Sequence, residues 1–220
     1  MAITPTLLVA DDHPLFRSAL CQAIRGTLGD GAQILECESI LKLEEKASAH
    51  PEIDLILLDL QMPGANGFSG LVLARREYPE IPVAIVSANE DPNTIQRALE
   101  YGACGFIPKS SDLPTIGLAI GAMLAGDIWV PEQANSQLTE RSREEREFAE
   151  RIKTLTPQQL KVFLMLTRGL LNKQIASEID VSEATIRTHM TAIFRKLGVR
   201  NRTQAVLAAN FLNLDDGSSH

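Results

Sequence analysis

Five polar side chains follow or close short apolar runs. Asp11 and Asp12 follow LLVA, Asp59 closes LILLD, Ser87 closes VAIV, and Lys109 follows GFIP. If those runs are parallel strands, all five groups gather at one edge of a sheet, where such folds bind ligands. Three carboxylates placed together repel one another and resist ionising unless a cation joins them. Oxygen donors of this kind suit Mg2+, which takes one or two carboxylates and keeps several waters. A lysine opposite can pair with a carboxylate or hold a phosphoryl oxygen, and a serine hydroxyl can donate to the same oxygen. The chemistry this set fits is phosphoryl transfer to a carboxylate, giving an aspartyl phosphate. Positioning and charge neutralisation then do most of the work. Asp59 ends the central run and is the expected nucleophile. Asp11 and Asp12 are placed to hold the metal with it. The turn LQMPGANG after Asp59 can offer the backbone carbonyl of Gln61 as a further ligand. A single aspartate at a strand end is more often a helix cap. Five such groups in order on successive runs are a different matter.

The elements that must position these groups follow from the texture of residues 6–126. Short apolar runs at 6–10, 32–37, 55–59, 82–87 and 105–108 alternate with helical patterns at 15–28, 39–49, 68–78, 91–101 and 112–126. Alternation of this kind implies a parallel sheet covered on both faces. The near-continuous apolarity of the third and fourth runs suits strands buried on both sides.

Charge divides the chain. Of 220 residues with a net charge of -7, residues 1–130 hold 8 Lys+Arg against 17 Asp+Glu, and residues 156–214 hold 8 against 3. An acidic first part is thus joined to a basic second part, which points to a polyanionic partner for the second alone. Between them, 131–154 is polar with dense mixed charge, and Arg143–Glu147 and Glu147–Arg151 stand at i,i+4. This stretch is expected to be a linker, in part an exposed helix. The domains expected are therefore 1–130, the linker 131–154, and 155–214, with 215–220 a tail that reads as an expression remnant. Cys21, Cys37 and Cys104 are far apart with no CxxC, which argues against disulfides or a zinc site and fits the cytoplasm. The apolar run Leu113 to Gly126 is too short to cross a bilayer and contains Pro114. The N-terminus lacks the basic start of a signal peptide, so no membrane partner is expected.

From 156 the patterns are helical only, near 156–168, 172–179, 182–197 and 202–212. Thr156-Pro157-Gln158-Gln159 reads as a capped helix start, and Asp180-Val181 as a turn. In the third helix Ile186, Met190, Ile193 and Leu197 share one face, while Arg187, Thr188, Thr191 and Arg195 project from the other. Two short helices, a turn and a helix with a cationic, hydroxyl-bearing outer face read as a helix-turn-helix for double-stranded DNA. Arginine and threonine can reach base edges. Lys173, Lys196, Arg200 and Arg202, near helix ends, are expected phosphate contacts.

Residues 6–126 resemble the receiver domain of two-component response regulators. The matching residues are Asp11-Asp12, LILLDLQMPGANG with Asp59, Ser87-Ala88, and GFIPK with Phe106 and Lys109. Residues 155–209 resemble the LuxR-type helix-turn-helix of the NarL/FixJ family. The resemblance implies a flavodoxin-like receiver followed by a small four-helix DNA-binding domain. It implies phosphorylation of Asp59 by a sensor histidine kinase, dependence on Mg2+, and a homodimer on paired DNA half-sites when phosphorylated, with the last helix able to form the dimer contact. It also implies a switch in which Ser87 moves toward the phosphoryl group and Phe106 turns inward behind it. Phe106 lacks the hydroxyl of the tyrosine found in many members, so it can act only by packing. Gln158 and Gln159 replace the usual Arg-Glu, and Leu171 replaces a small polar residue. The function expected is a phosphorylation-dependent transcriptional regulator, with no enzymatic activity beyond its own phosphorylation and dephosphorylation. The rivals are a DNA-binding protein with a phosphorylation-independent receiver, and a phosphatase with an Asp nucleophile. Against the second, DLQ supplies no carboxylate two residues after Asp59.

Overall fold

A computed structural model describes residues 4–131 and 143–214, which form two compact units. The first unit has five strands, β1 (Thr6–Ala10), β2 (Gln33–Cys37), β3 (Leu55–Asp59), β4 (Val83–Ser87) and β5 (Gly105–Pro108). They pair in parallel in the order β2-β1-β3-β4-β5. Helices α1 (Pro14–Leu28), α2 (Ile40–Ala49), α3 (Ser69–Glu77), α4 (Pro92–Glu100) and α5 (Leu113–Leu124) connect and follow them. This is the expected order, with boundaries shifted by one or two residues.

Strands β1, β3 and β4 are buried along their whole length, which explains their unbroken apolarity. Alternate side chains point to opposite faces. Leu7, Val9, Leu55, Leu57, Ala84, Val86 and Ile107 thus form one core with Leu20, Ile24, Ile116 and Ile120 of α1 and α5. Several helix starts are fixed locally. Ser39, Asp91 and Asp112 accept hydrogen bonds from the exposed N–H groups of α2, α4 and α5. The strand ends are thereby held against the helices that follow them.

The second unit contains α6 (Arg143–Ile152), α7 (Pro157–Thr167), α8 (Asn172–Glu178), α9 (Glu183–Leu197) and α10 (Arg202–Ala209), then a 3-10 turn, Asn210–Leu212. Thr156 and Gln159 form the expected reciprocal cap on α7. Asp180 takes φ 52 between α8 and α9, a conformation that aspartate tolerates in a tight turn.

The linker expected over 131–154 is corrected here. Residues 132–142 lie outside the described residues, but Arg143–Ile152 is a helix of the second unit. Its i,i+4 ion pairs are as expected, with Glu147 bonded to Arg143 and Arg151. Its other side is not exposed: Phe148, Ala149 and Ile152 are buried. The Phe148 ring lies 6.5 Å from that of Phe163 and 5.4 Å from that of Phe211. Three apolar residues at i, i+1 and i+4 are enough to anchor ten residues of otherwise charged helix.

Candidate phosphoacceptor and DNA-binding sites

The strand ends do converge. Asp11 follows β1, where its backbone N–H bonds to the Cys37 carbonyl. Asp59 closes β3, and Lys109 follows β5, its N–H donating to the Ser87 carbonyl at the end of β4. Lys109 Nζ lies 2.7 Å from Asp11 Oδ2 and 2.9 Å from Asp59 Oδ2, bridging the two acids. Its ammonium also stands 4.9 Å above the Phe16 ring centroid. Asp11 and Asp59 are almost completely buried, at 1% and 4% exposure, and Ser87 is at 2%. The cavity in front of them, about 350 Å³, is lined by His13, Leu15, Phe16, Asp59, Gln61, Ser87, Ala88, Asn89 and Lys109. Asp59 Oδ1 accepts from the Gln61 N–H at 3.2 Å. Ser87 Oγ accepts from the Asn89 N–H at 3.1 Å, which leaves its proton available to a ligand.

Burial raises the Asp59 pKa, and the Asp11 charge adds to this; the Lys109 hydrogen bond and charge pull the other way without cancelling it. Burial works against the Lys109 ammonium, but its bonds to Asp11 and Asp59 and their charges outweigh this and raise its pKa. The site therefore carries more negative charge than one lysine satisfies. Asp11 Oδ2 and Asp12 Oδ1 are buried and make no hydrogen bond of good geometry, although Lys109 and His13 form ion pairs with them. Ligand atoms of Asp11, Asp12, His13 and Asp59 all lie within 4.8 Å of one another. A donor set of carboxylate oxygens with unsatisfied lone pairs fits a divalent cation, Mg2+ in the first place.

Phe106 does not line the cavity. It is wholly buried in β5, beside Ile85 of β4. His13 was not singled out in the sequence. It directly follows the acidic pair and precedes Pro14, the first residue of α1, so it had to sit over the strand end.

In the second unit α9 separates as expected. Ile186, Met190, Ile193 and Leu197 are buried, while Arg187, Thr188, Thr191 and Arg195 are exposed. Arg187 Nη2 pairs with Glu183 at 2.8 Å. The Thr188 and Thr191 hydroxyls donate to the Ala184 and Arg187 carbonyls. Lys173 and Arg200 are exposed. Lys196 and Arg202 are engaged within the unit. Lys196 Nζ donates to the Thr154 carbonyl and Gln159 Oε1, both at 2.7 Å. Arg202 Nη2 donates to the Leu166 and Leu170 carbonyls at 3.1 and 2.6 Å, closing the end of α7. These two cations hold helices together within the unit.

A parallel sheet with an acid–lysine pocket at its strand ends, accompanied by a helix-turn-helix unit, defines a receiver joined to a DNA-binding output. Residues 7–120 match the response regulator receiver domain family, and residues 153–209 match the bacterial regulatory proteins of the luxR family. The chain is 41% identical over 208 residues to the glycerol metabolism activator of Pseudomonas putida, covering 92% of this chain and 94% of that one. It is 32% identical over 212 residues to the nitrate/nitrite response regulator protein NarP of Escherichia coli K12, covering 91% and 92%. RcsB from Salmonella enterica serovar Typhimurium, solved bound to promoter P1flhDC with the phosphomimetic BeF3-, shares the fold. Its TM-score is 0.56 at 21% identity, over 96% of this chain and 100% of that one. A LuxR family DNA-binding response regulator from Silicibacter pomeroyi has a TM-score of 0.52 at 32% identity, over 59% of this chain and 98% of that one. The chain belongs to the NarL/FixJ-type response regulators, the DNA-binding transcriptional regulators of two-component systems. Among the described residues no helix is long and apolar enough to cross a membrane.

Proposed function

We propose that Asp59 is the phosphoacceptor and that its phosphorylation, by a sensor histidine kinase, controls DNA binding through α9. One observation carries this: Lys109 bridges buried Asp11 and Asp59 at the mouth of a cavity that also holds Ser87. An Asp59 carboxylate oxygen attacks phosphorus, a P–O bond forms, and the bond to the donor histidine breaks with its electron pair leaving on nitrogen. Asp11, Asp12, Asp59 and the Gln61 carbonyl would hold Mg2+, which supplies neutralisation of the phosphoryl charge. Lys109 and the Ser87 hydroxyl bind the remaining phosphoryl oxygens. Phe106, already buried, acts by packing behind Ser87. A dianionic group placed here biases one packing of the domain over another. The phosphorylated chain then acts as a homodimer on paired half-sites in the cytoplasm. Arg187, Thr188 and Thr191 meet base edges, and Lys173, Arg195 and Arg200 meet phosphates. RcsB bound to a promoter with a phosphomimetic is the parallel case.

The test is incorporation of phosphate from acetyl phosphate, followed by DNA binding in fluorescence anisotropy. Uptake should require Mg2+, vanish in Asp59→Asn, and tighten binding only in the native chain. Equal DNA affinity with and without phosphodonor would favour a phosphorylation-independent receiver.

A further inference from the structure

The sequence did not single out Glu183. It is the only acid of α9, within residues 156–214, where 8 Lys+Arg stand against 3 Asp+Glu. It is also the first residue of that helix, and the residues that open the second helix of a helix-turn-helix are those that meet base edges. The helix start does not need it as a cap. Ser182 Oγ accepts from the Thr185 N–H at 3.1 Å and lies 2.8 Å from Thr185 Oγ1. The Glu183 carboxylate turns instead along the exposed face, where its Oε1 accepts from Arg187 Nη2 at 2.8 Å. Both side chains stay open to solvent, Glu183 at 43% and Arg187 at 70% exposure. One N–H of the guanidinium is engaged, and the rest of its fork is left for a ligand.

A carboxylate on a surface that meets DNA repels the phosphates of every sequence alike. It gains only where a base edge offers a donor, and in the major groove those donors are the amino groups of cytosine and adenine. Arginine takes guanine through O6 and N7. In a G·C pair the cytosine amino group lies beside guanine O6, so the groove edge sets a donor next to an acceptor. The Glu183–Arg187 pair sets an acceptor next to a donor. We propose that Glu183 is a specificity-determining residue, whose carboxylate accepts from a cytosine amino group while Arg187 donates to the guanine paired with it. The inference rests on the reading of α9 as the helix that meets DNA. An exposed ion pair is held weakly, so the two side chains can part to fit the base pair. Glu183 then lowers affinity for DNA in general and raises it at one G·C pair, which is a gain in discrimination.

The experiment uses the full chain with acetyl phosphate and Mg2+. The native chain first selects duplexes from a random pool, and fluorescence anisotropy then gives affinities for native protein and Glu183→Ala. In the selected duplex each cytosine opposite a preferred guanine is replaced in turn by pyrimidin-2-one, which lacks the 4-amino group and leaves guanine O6 and N7 in place. At one position the replacement should weaken native binding by about tenfold or more and Glu183→Ala binding by less than about twofold. On duplexes of unrelated sequence Glu183→Ala should bind about two- to fivefold more tightly than native protein. A carboxylate that only stabilises the helix start predicts an equal loss on every duplex instead, and that result overturns the proposal. So does a replacement that weakens native protein and variant alike at every position, or a selected site with no preferred G·C pair. A native chain that selects no sequence removes the reading of α9 and this inference with it.

Discussion

Lys109 is the group whose loss should be felt most in the first unit. Its side chain, 14% exposed, is shared by two carboxylates whose side chains are exposed at 1% and 3%. In Lys109→Met the stem is kept and the charge is removed, leaving Asp11 and Asp59 buried beside each other. Removing one partner of a buried pair costs about 3–5 kcal/mol. At roughly 3–4 °C per kcal/mol for a domain of this size, that is a fall in Tm of roughly 10–20 °C. The pH dependence follows from the raised Asp59 pKa. A carboxylate whose folded pKa exceeds its unfolded value binds more protons when folded, so stability falls as pH rises through that window. Removing Lys109 widens the window, and the deficit should be larger at pH 7.5 than at pH 5. In the native chain the raised Lys109 pKa acts with the same sign in a more alkaline window. Its stabilisation is complete below the unfolded lysine value and is lost only as pH rises through the folded one. A divalent ion should offset part of the deficit, by about 1.4 kcal/mol at tenfold its dissociation constant. Thermal melts followed by circular dichroism, with and without Mg2+ at both pH values, read all of this. A variant that melts with the native protein at pH 7.5 without Mg2+ would refute the electrostatic account of the pocket.

Phe148→Ala should destabilise the second unit by about 3–5 kcal/mol, because the ring is buried between Phe163 and Phe211; a fragment beginning at 153 should melt well below one beginning at 143. Arg187→Ala should cost about 1–3 kcal/mol at the preferred site and relax base preference, whereas Arg195→Ala should reduce the salt slope of binding by about 0.9 on all sequences; an Arg187→Ala loss that is equal on all sequences would remove it from base reading. Arg202→Met should lower stability by about 1–3 kcal/mol, because the Leu170 carbonyl loses its donor while that of Leu166 keeps the Gly169 N–H, and should leave the salt slope unchanged. Burial pushes the Cys37 thiol up to about 12, so alkylation at pH 8 should reach it at the rate of unfolding, whereas the half-buried Cys104 thiol, pushed up to about 11, should react ahead of it.

What the sequence disclosed depended on the range of the interaction. The strand order of chemistry was legible because a parallel strand with both faces buried must be apolar throughout, so a charge can appear only at its end; Asp59 and Ser87 mark where β3 and β4 stop. The faces of α9 were legible for a similar reason, as burial at Ile186, Met190, Ile193 and Leu197 has a fixed period. Cations at helix ends were not. A lysine or arginine there can meet a phosphate or close a helix, and the carbonyls that engage Lys196 and Arg202 lie 32 to 42 residues away along the chain. Helix α6 was misjudged because its charges outnumber the three side chains that anchor it, and their target, Phe211, is 63 positions further on.

The same distinction bears on the switch proposed for the first unit. Its sheet core is apolar and periodic. The charged centre at the strand ends is underbalanced: Lys109 serves two buried acids, and burial raises the Asp59 pKa. The β3 turn at Gln61 and the β4 turn at Asn89 are bonded directly to the Asp59 and Ser87 side chains. A group bonded to Asp59 Oδ1 would displace the Gln61 N–H and re-aim that turn, while the Ser87 proton can meet the same group with the Asn89 bond kept.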